Sequence, residues 1–415
     1  MKNGKLGILI RFLIFLFLTN SLVSQEYKSE NVQKWKSKTE SFESSLEVYK
    51  SKKNIKKNHK ELYEFLTDAL VSNRRGENTD KEFEDLLHNL FLIWRTLSEE
   101  LKIRILEIVH GLWDKEFIYD IERIYPELKD ERMIAIAFLY LNKHTGISEF
   151  SYNKKNRVLH ELSSYISKKN QPTEKNLTSI FLHASEYEGW KFFNIQRKNR
   201  THSGIIIVMD ESGNFVKDSS GKIFNKKILS RSITNLPYFV INGNTPSGVY
   251  ALIGKNTSSN PLIGPVPVIK FGLPYEYSIQ KFQATREYKD WSLSFYKSLF
   301  PKSWHEYPEI TESLQAGKLG RSGIWIHGST IDPMNFSSDK PIPALGCSTL
   351  LETWSTDGGL SSSDQWELTQ ILGDEKLEVM KGLLYVIELN DEDSSVELED
   401  IQDEIDEYIF LIKDE

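Results

Sequence analysis

The chain has 415 residues, of which 39% are apolar and 12% aromatic, so it should fold around real cores and form two domains rather than one. Its formal net charge is −7, but thirteen Asp and Glu against one Lys between Glu388 and Glu415 concentrate the negative charge at one end. The remaining body is close to neutral, which argues against nucleic-acid binding, because that affinity depends on many phosphate contacts.

Residues 1–24 have the pattern of an export signal. Lys2 and Lys5 precede an apolar run over 12–18, and Ser24 is one of the small residues that suit cleavage. The run is shorter than the roughly 20 residues that a membrane-spanning helix needs. The sequence therefore predicts a cleaved signal, no transmembrane span in the mature chain, and a periplasmic or other cell-envelope location.

Residues 25–195 are predicted to be an all-α domain. Apolar residues recur at spacings of three and four over 83–94 and 101–112, and 133–141 is almost continuously apolar. Successive amphipathic helices with short polar turns are typical of a bundle or solenoid. No chemistry is visible here, so scaffolding, or contact with the cell wall or a protein partner, is the expected role.

The pattern changes near residue 195, and 196–390 is predicted to be mainly β. The β-branched run Gly204–Met209 is the first expected strand, and a helical insertion is expected between Ser292 and Gln315. Further strands are expected at 238–241, 249–253, 266–271, 323–327 and 383–389. The predicted fold class is α+β, with an N-terminal all-α domain followed by a β domain.

Residues 391–415 form an acidic tail. Its apolar residues, among them Ile401, Ile405 and Tyr408, lie close to helical spacing. A short helix docked on the body and a disordered acidic tail are both compatible with this pattern.

The chain contains one cysteine, Cys347, so it cannot form an internal disulfide. A buried structural thiol is one interpretation, but a free thiol kept in an oxidising compartment favours a chemical role. A thiol attacks as thiolate, which a nearby imidazole commonly generates, and His327 ends a predicted strand directly before Gly328. Gly346 allows a tight turn that aims the N–H groups of Gly346 and Cys347 at an oxyanion.

The stretch 323–354 resembles the L,D-transpeptidase (YkuD-like) catalytic domain. A strand ending in His327-Gly328, a loop, and then Gly346-Cys347 follow the pattern of that family. Upstream, Thr-Pro-Ser-Gly-Val-Tyr at 245–250 matches the family's Thr-Pro-x-Gly-x-Tyr/Phe element. The resemblance covers about residues 200–390.

The resemblance implies a β-sandwich that transfers acyl groups between peptidoglycan stem peptides. Cys347 would be the nucleophile, His327 would carry the proton in both steps, and the main-chain carbonyl of Gly328 would be the third member of the triad. An amine would then take the acyl group, which gives a crosslink or attaches a protein. The resemblance implies no metal and no organic cofactor.

The sequence departs from that family in two places beside the nucleophile. Leu345 stands where a His is usual, and Ser348-Thr349 stands where an Arg or Asn is common. Three alternatives therefore stay open: an L,D-carboxypeptidase, a ligase that joins proteins to the wall, and a non-catalytic module that binds the cell wall or a protein.

Overall fold

The computed structural model describes residues 27–28, 35–49, 55, 58–71, 80–150, 152–153, 155–167, 175–260, 263–282, 290–329, 340–355, 357–373 and 381–413. The expected export signal, residues 1–24, lies outside this part. Within it, none of the helices combines the length and the apolar character that crossing a membrane requires. The chain mixes helices with a large β-sheet, as its α and β patterns predict.

The first half of the described chain is helical. Its helices are α1 Trp35–Tyr49, α2 His59–Val71, α3 Asp80–Leu92, α4 Glu99–Leu112, α5 Ile118–Ile124, α6 Glu131–Thr145 and α7 Arg157–Ser167. Ser98 caps α4 through the Leu101 N–H, Asp130 caps α6 through the Arg132 and Met133 N–H groups, and Gly146 ends α6 with φ 76°. The predicted apolar stripes of α3, α4 and α6 face one shared core.

This helical core also takes in a segment from the second half of the chain. Ile233, Leu236, Tyr238, Phe239 and Val240 are buried in it. The strand expected at 238–241 is therefore wrong, because these residues form turns. The physical reasons lie in its neighbours: Pro237 has no N–H to donate, and Asn235 and Asn242 adopt left-handed φ values of 48° and 60°.

The second half is built around a closed barrel of eight strands, ordered β1-β10-β4-β5-β6-β7-β3-β2. The pairs β1–β10 and β6–β7 are parallel, and the other neighbouring strands are antiparallel. The strands are β1 Trp190–Gln196, β2 Gly204–Met209, β3 Asn225–Leu229, β4 Gly248–Asn256, β5 Val268–Gly272, β6 Trp325–Gly328, β7 Ser348–Leu350 and β10 Gly382–Glu388. This closure differs from the expected two-sheet sandwich.

Two further strands, five α-helices and several short 3-10 helices lie in the described second half. The strands and α-helices are α8 Leu177–Ser185, α9 Leu293–Lys297, α10 Glu312–Lys318, β8 Glu352–Trp354, β9 Leu360–Ser363, α11 Asp364–Ile371 and α12 Gln402–Lys413. Strands β8 and β9 pair with each other in a separate small sheet.

The barrel is packed on both faces because its side chains alternate in direction along each strand. Every barrel strand contributes to an inner cluster that includes Phe192, Tyr250 and Leu384, and Leu368 of α11 joins it. On the outer face, β1, β2, β4 and β10 pack against α8, α9 and α12. The strands β1 and β2 are therefore apolar on both sides.

The boundary expected near residue 195 falls inside β1, which pairs with β10 and β2 along its length. Helix α8 also belongs to the barrel side, since its buried residues share a cluster with β1. The physical reason for the difference is that α8 covers the outer face of the sheet, although its local pattern continues the helical series.

The acidic tail contains the docked helix that was one of the two expected conformations. Ile405 and Tyr408 of α12 are buried, and Thr178 of α8 donates to the Glu404 carbonyl at 3.2 Å. The buried Arg197 guanidinium donates to Asn390 at 2.7 Å and also bonds Asp400. Apolar burial and one buried cation hold the tail in place despite its charge.

Candidate active site

The parallel pair β6–β7 carries His327 and Cys347 on neighbouring strands. His327 is in register with Thr349, and Ile326 with Ser348, so Cys347 precedes β7 at the level of Trp325. Residues two apart on a strand share a face, which places the side chains of Cys347 and His327 on the same side of the sheet. Strand spacing and rise put their Cα atoms roughly 8 Å apart.

Cys347 is half-buried, and main-chain groups surround its sulfur. Sγ lies 3.4 Å from the N–H of Trp325, which donates to it, and 3.6 Å from the carbonyl oxygen of Gly323. The described hydrogen bonds of this sulfur do not include one to His327. Burial raises the pKa of the Cys347 thiol, while the Trp325 N–H and the charge of Arg321 lower it. The thiol is therefore protonated at neutral pH and needs a base before it can attack.

The His327 ring is only 3% exposed, and its orientation is fixed. Its Nδ1 lies 2.7 Å from the carbonyl oxygen of Gly328, the group that the sequence indicates as its partner. A carbonyl can only accept, so Nδ1 carries the hydrogen and Nε2 keeps the lone pair. Burial lowers the pKa of His327 to about 4, which keeps the ring neutral at pH 7. The imidazole is thus in the protonation state of a general base.

The turn before Cys347 joins the two sequence motifs. Gly346 has φ 103°, a conformation that favours glycine, and its carbonyl accepts the Thr245 hydroxyl at 3.0 Å. The same hydroxyl lies 3.2 Å from Oγ of Ser348. The Thr-Pro-Ser-Gly segment at 245–248 therefore supports the Gly-Cys turn directly, although the two are far apart in the sequence.

A buried polar cluster lies behind this turn. Asn194 of β1 donates to Ser230 at 2.9 Å and to Ser348 at 3.1 Å, and the two serine hydroxyls are 2.8 Å apart. All three residues are almost fully buried. Because a buried hydrogen-bond network tolerates little displacement, it fixes β7 relative to β1. The sequence did not reveal Asn194 or Ser230, whose only signal is a polar residue within an apolar strand.

A buried carboxyl group packs against Gly328. A methyl group at the Gly328 Cα would lie 1.8 Å from Cδ of Glu352, so alanine fits here only if the Glu352 carboxyl moves. Glu352 is 4% exposed, and its Oε1 accepts the Ser363 hydroxyl at 2.8 Å. Its Oε2 is buried without a hydrogen-bond partner among the described residues. Burial raises the pKa of Glu352 to about 8, so it is mainly protonated at pH 7.

Leu345, which departs from the family pattern, has a packing role. Its side chain is partly buried against the helical core. A histidine would place a polar ring at this apolar contact. Leu345, at the position where a His is usual in the family pattern, therefore joins the two halves of the molecule.

Arg321 is a further charged residue at the site that the sequence did not single out. It is 6% exposed, and its guanidinium donates to the carbonyls of Tyr238, of Gly243 at 3.0 Å and of Asn244 at 2.8 Å. A methyl group at the Gly346 Cα would lie 2.6 Å from its Nη2. The cation therefore lies against the turn that carries Cys347.

Comparison of the chain with models of protein families, with curated proteins and with solved structures finds no match. A functional assignment therefore depends on the geometry of this site. Cys347 directly precedes β7, and His327 and Gly328 end the neighbouring strand β6, two and three positions further along the parallel register.

Proposed function

We propose that this chain is an exported acyltransferase of the L,D-transpeptidase type, which acts on peptidoglycan stem peptides through Cys347. In this proposal the helical half is a separate domain and the barrel half is the catalytic domain. The observation that carries the proposal is the neutral, buried His327, whose Nδ1 is held by the Gly328 carbonyl beside the Cys347 turn. An imidazole oriented by a carbonyl can exchange a proton with a neighbouring thiol.

The proposed reaction has two acyl transfers. His327 Nε2 takes the proton of Cys347 as the sulfur attacks the carbonyl that joins an L-centre to a D-amino acid. The S–C bond forms, the amide C–N bond breaks, and the leaving amine takes the proton from His327. An acceptor amine then attacks the thioester, gives its proton to His327, and releases the Cys347 sulfur.

Two features support the attack geometrically. Cys347 and His327 lie on one face of the sheet, and their Cα separation is short enough for rotation of the Cys347 side chain to bring the sulfur toward Nε2 of the fixed imidazole. We assign the oxyanion to the main-chain N–H groups of Gly346 and Cys347, a role that a tight glycine turn favours.

The test is acylation of the mature chain, from Gln25 onward, by a carbapenem at neutral pH, followed by intact mass. The thiolate opens the β-lactam, the ring nitrogen takes a proton, and one adduct of the full carbapenem mass is expected. Cys347→Ser should give no adduct, and His327→Gln should slow acylation about 100-fold. His110→Gln is the matched control, because His110 also bonds a main-chain carbonyl but lies on α4. The proposal is overturned if the folded wild type takes no adduct or if Cys347→Ser takes one equally fast.

The choice of acceptor is tested with a stem tetrapeptide and an added amine. Crosslinked product supports the transpeptidase, tripeptide alone supports the L,D-carboxypeptidase, and amine-linked protein supports the wall-protein ligase. A non-catalytic binding module remains the second candidate, because the sulfur contacts Gly323 and Trp325 rather than His327. Failure of both acylation and peptide turnover, with retained binding to wall sacculi, would favour that module.

A further inference from the structure

We infer that Arg321 supplies the positive charge that stabilises the Cys347 thiolate. The inference rests on the proposed function, because it takes Cys347 as the reacting group. Arg321 acts through its charge on the sulfur, so it is a positioning residue rather than one that contacts the substrate. The residues directly after Cys347, Ser348 and Thr349, carry no charge.

The Arg321 guanidinium lies close to the Gly346 turn. Nη2 is close enough to the Gly346 Cα that an added methyl group would lie 2.6 Å from it. Gly346 directly precedes Cys347, and the Arg321 charge acts on the Cys347 thiol in the direction that favours thiolate. A fixed cation one residue from the sulfur stabilises the charged form more than the neutral form.

The hydrogen-bond partners of Arg321 are main-chain carbonyl oxygens. Its described hydrogen bonds go to carbonyl oxygens of residues 238–244, which solvate the charge without neutralising it. Among the described residues, no carboxylate lies within ion-pair distance of this guanidinium. Glu312 acts on this cation from beyond ion-pair distance, and its Oε2 accepts the Ser247 N–H. A buried cation with no anion in contact costs free energy, so a negative charge that forms next to it is stabilised. The thiolate of Cys347 would be that charge.

Other charged groups lie near this pair. His327 faces the same side of the sheet as Cys347 and is neutral. Glu276 accepts the Gly323 N–H at 2.9 Å, and Lys270 lies over the Trp325 ring at 4.7 Å. Tyr250 and Glu312 interact electrostatically with Arg321. Burial keeps Tyr250 protonated, since its pKa is well above the ordinary value. Lys270 and Glu276 are only partly buried and opposite in sign, so solvent screens them more than it screens Arg321.

The same arrangement gives the helical half a role. The carbonyls that hold Arg321 belong to the segment whose Tyr238, Phe239 and Val240 are buried in the helical core. Asn242 of this segment also donates to Glu107 of α4 at 2.8 Å. Packing of the helices thus fixes the oxygens that orient the cation beside Cys347.

The experiment measures the rate of alkylation by iodoacetamide against pH in the mature chain. The S–C bond forms, iodide leaves, and the thiol proton goes to solvent, so the rate follows the thiolate fraction. The chain has one cysteine, so the adduct that forms in the wild type and not in Cys347→Ser reports Cys347. Arg321→Met should raise the midpoint by about one pH unit, which is about a tenfold slower rate below it. Arg321→Lys should restore most of that shift.

Two further variants keep the result interpretable. Lys318→Met removes an exposed cation from the neighbouring helix α10 and should leave the midpoint unchanged. Asn244→Asp adds a carboxylate to a residue whose main-chain carbonyl bonds Arg321, keeps the oxygen that accepts the Ser232 N–H at 2.7 Å, and removes the donor to Asn235 at 3.1 Å. It should raise the midpoint by about half a unit. If Arg321→Met does not fold, Asn244→Asp is the variant that tests the inference.

The inference is overturned if folded Arg321→Met, or Asn244→Asp in its place, has the wild-type midpoint. Because iodoacetamide needs no peptide recognition, this outcome is separate from the carbapenem and stem-peptide tests. A shifted midpoint without peptide turnover would keep the role of Arg321 and reject the proposed reaction.

Discussion

The helical half and the barrel half both bury large apolar cores, but they place their buried polar groups differently. On the helical side, Glu107 and His110 reach across to the segment 232–244: Glu107 accepts from Asn242 at 2.8 Å, and His110 lies 2.8 Å from the Thr234 carbonyl oxygen. On the barrel side, one cluster lies behind the Gly-Cys turn, where Asn194 bonds Ser348 at 3.1 Å. Buried polar groups fix geometry more than they add stability. Their location in each half therefore indicates which segment that half holds in place.

The comparison indicates a division of roles. The helical half fixes the segment 232–244, which in turn holds Arg321, while the barrel fixes the strands that carry Cys347 and His327. Changes on the barrel side should therefore affect both stability and acylation. Changes at the helical contacts that leave the carbonyls of 238–244 in place should act mainly on stability.

Gly328→Ala should have the largest effect, because its methyl group would lie 1.8 Å from Cδ of Glu352. Overpacking at this position should lower the free energy of unfolding by about 3 kcal/mol and move the carbonyl that orients His327. Urea unfolding and carbapenem acylation measure the two effects. The double variant Gly328→Ala/Glu352→Ala should recover part of both, because it removes the obstructing carboxyl. Wild-type stability and acylation in Gly328→Ala would show that Glu352 does not pack tightly against Gly328.

Glu352→Gln should remove a pH dependence from the barrel half. The folded pKa of Glu352, about 8, exceeds its ordinary value of 4.5, so its contribution to stability is complete below pH 4.5 and is lost as pH rises through 8. Glutamine keeps the acceptor for Ser363 but does not titrate. Between pH 4.5 and 7 the wild type should lose about 3 kcal/mol relative to the variant. The prediction would be contradicted if the free energy of unfolding, measured with urea, had the same pH dependence in the two proteins across that range.

Gly111→Ala tests the helical contact. The added methyl group would lie 2.8 Å from the Cα of Thr234 and 2.9 Å from the Ile233 carbonyl oxygen, both main-chain atoms that cannot rotate away. Alanine favours a helix, yet we expect a loss of about 2 kcal/mol by urea unfolding. Glu100→Ala, exposed on the same helix α4, should be nearly neutral. A stabilised Gly111→Ala would show that this contact is loose.

Tyr238→Phe should give the smallest effect. It removes only the hydroxyl that donates to Glu161 of α7, so the expected loss is about 1 kcal/mol. Its backbone carbonyl still accepts from Arg321, so the alkylation midpoint of Cys347 should stay within about 0.2 pH units of wild type. A larger shift would mean that the helical contact controls the active site more strongly than its packing indicates.

Several features of this protein could be predicted from local pattern alone. The helices over 83–94 and 101–112 repeat every three or four residues, and that periodicity depends only on which face is buried. The strand at 204–209 was predicted with its observed bounds. His327 before Gly328 and Gly346 before Cys347 are also local signals, and the Nδ1 contact to the Gly328 carbonyl is one that a neighbouring residue can make by itself.

Other features were invisible because they depend on partners far away in the sequence. Strand β1, WKFFNIQ, lacks alternation because both of its faces are buried, so its local pattern does not indicate a strand and the predicted domain boundary falls inside it. The apolar residues 238–240 resemble a strand but fill a helical core. Glu352 and Arg321 show no local sign of burial, since only their tertiary neighbours remove them from water.

The sequence by itself determined the helical periodicity, the β-rich second half, the histidine at a strand end and the glycine turn before the cysteine, because these are properties of neighbouring residues. Only the tertiary structure decided that the strands close into a barrel, that Leu345 packs on the helices and that Arg321 lies beside the Gly346 turn. Closure, packing and electrostatic environment are set by contacts between distant segments, and no local pattern encodes which distant segment will be the partner.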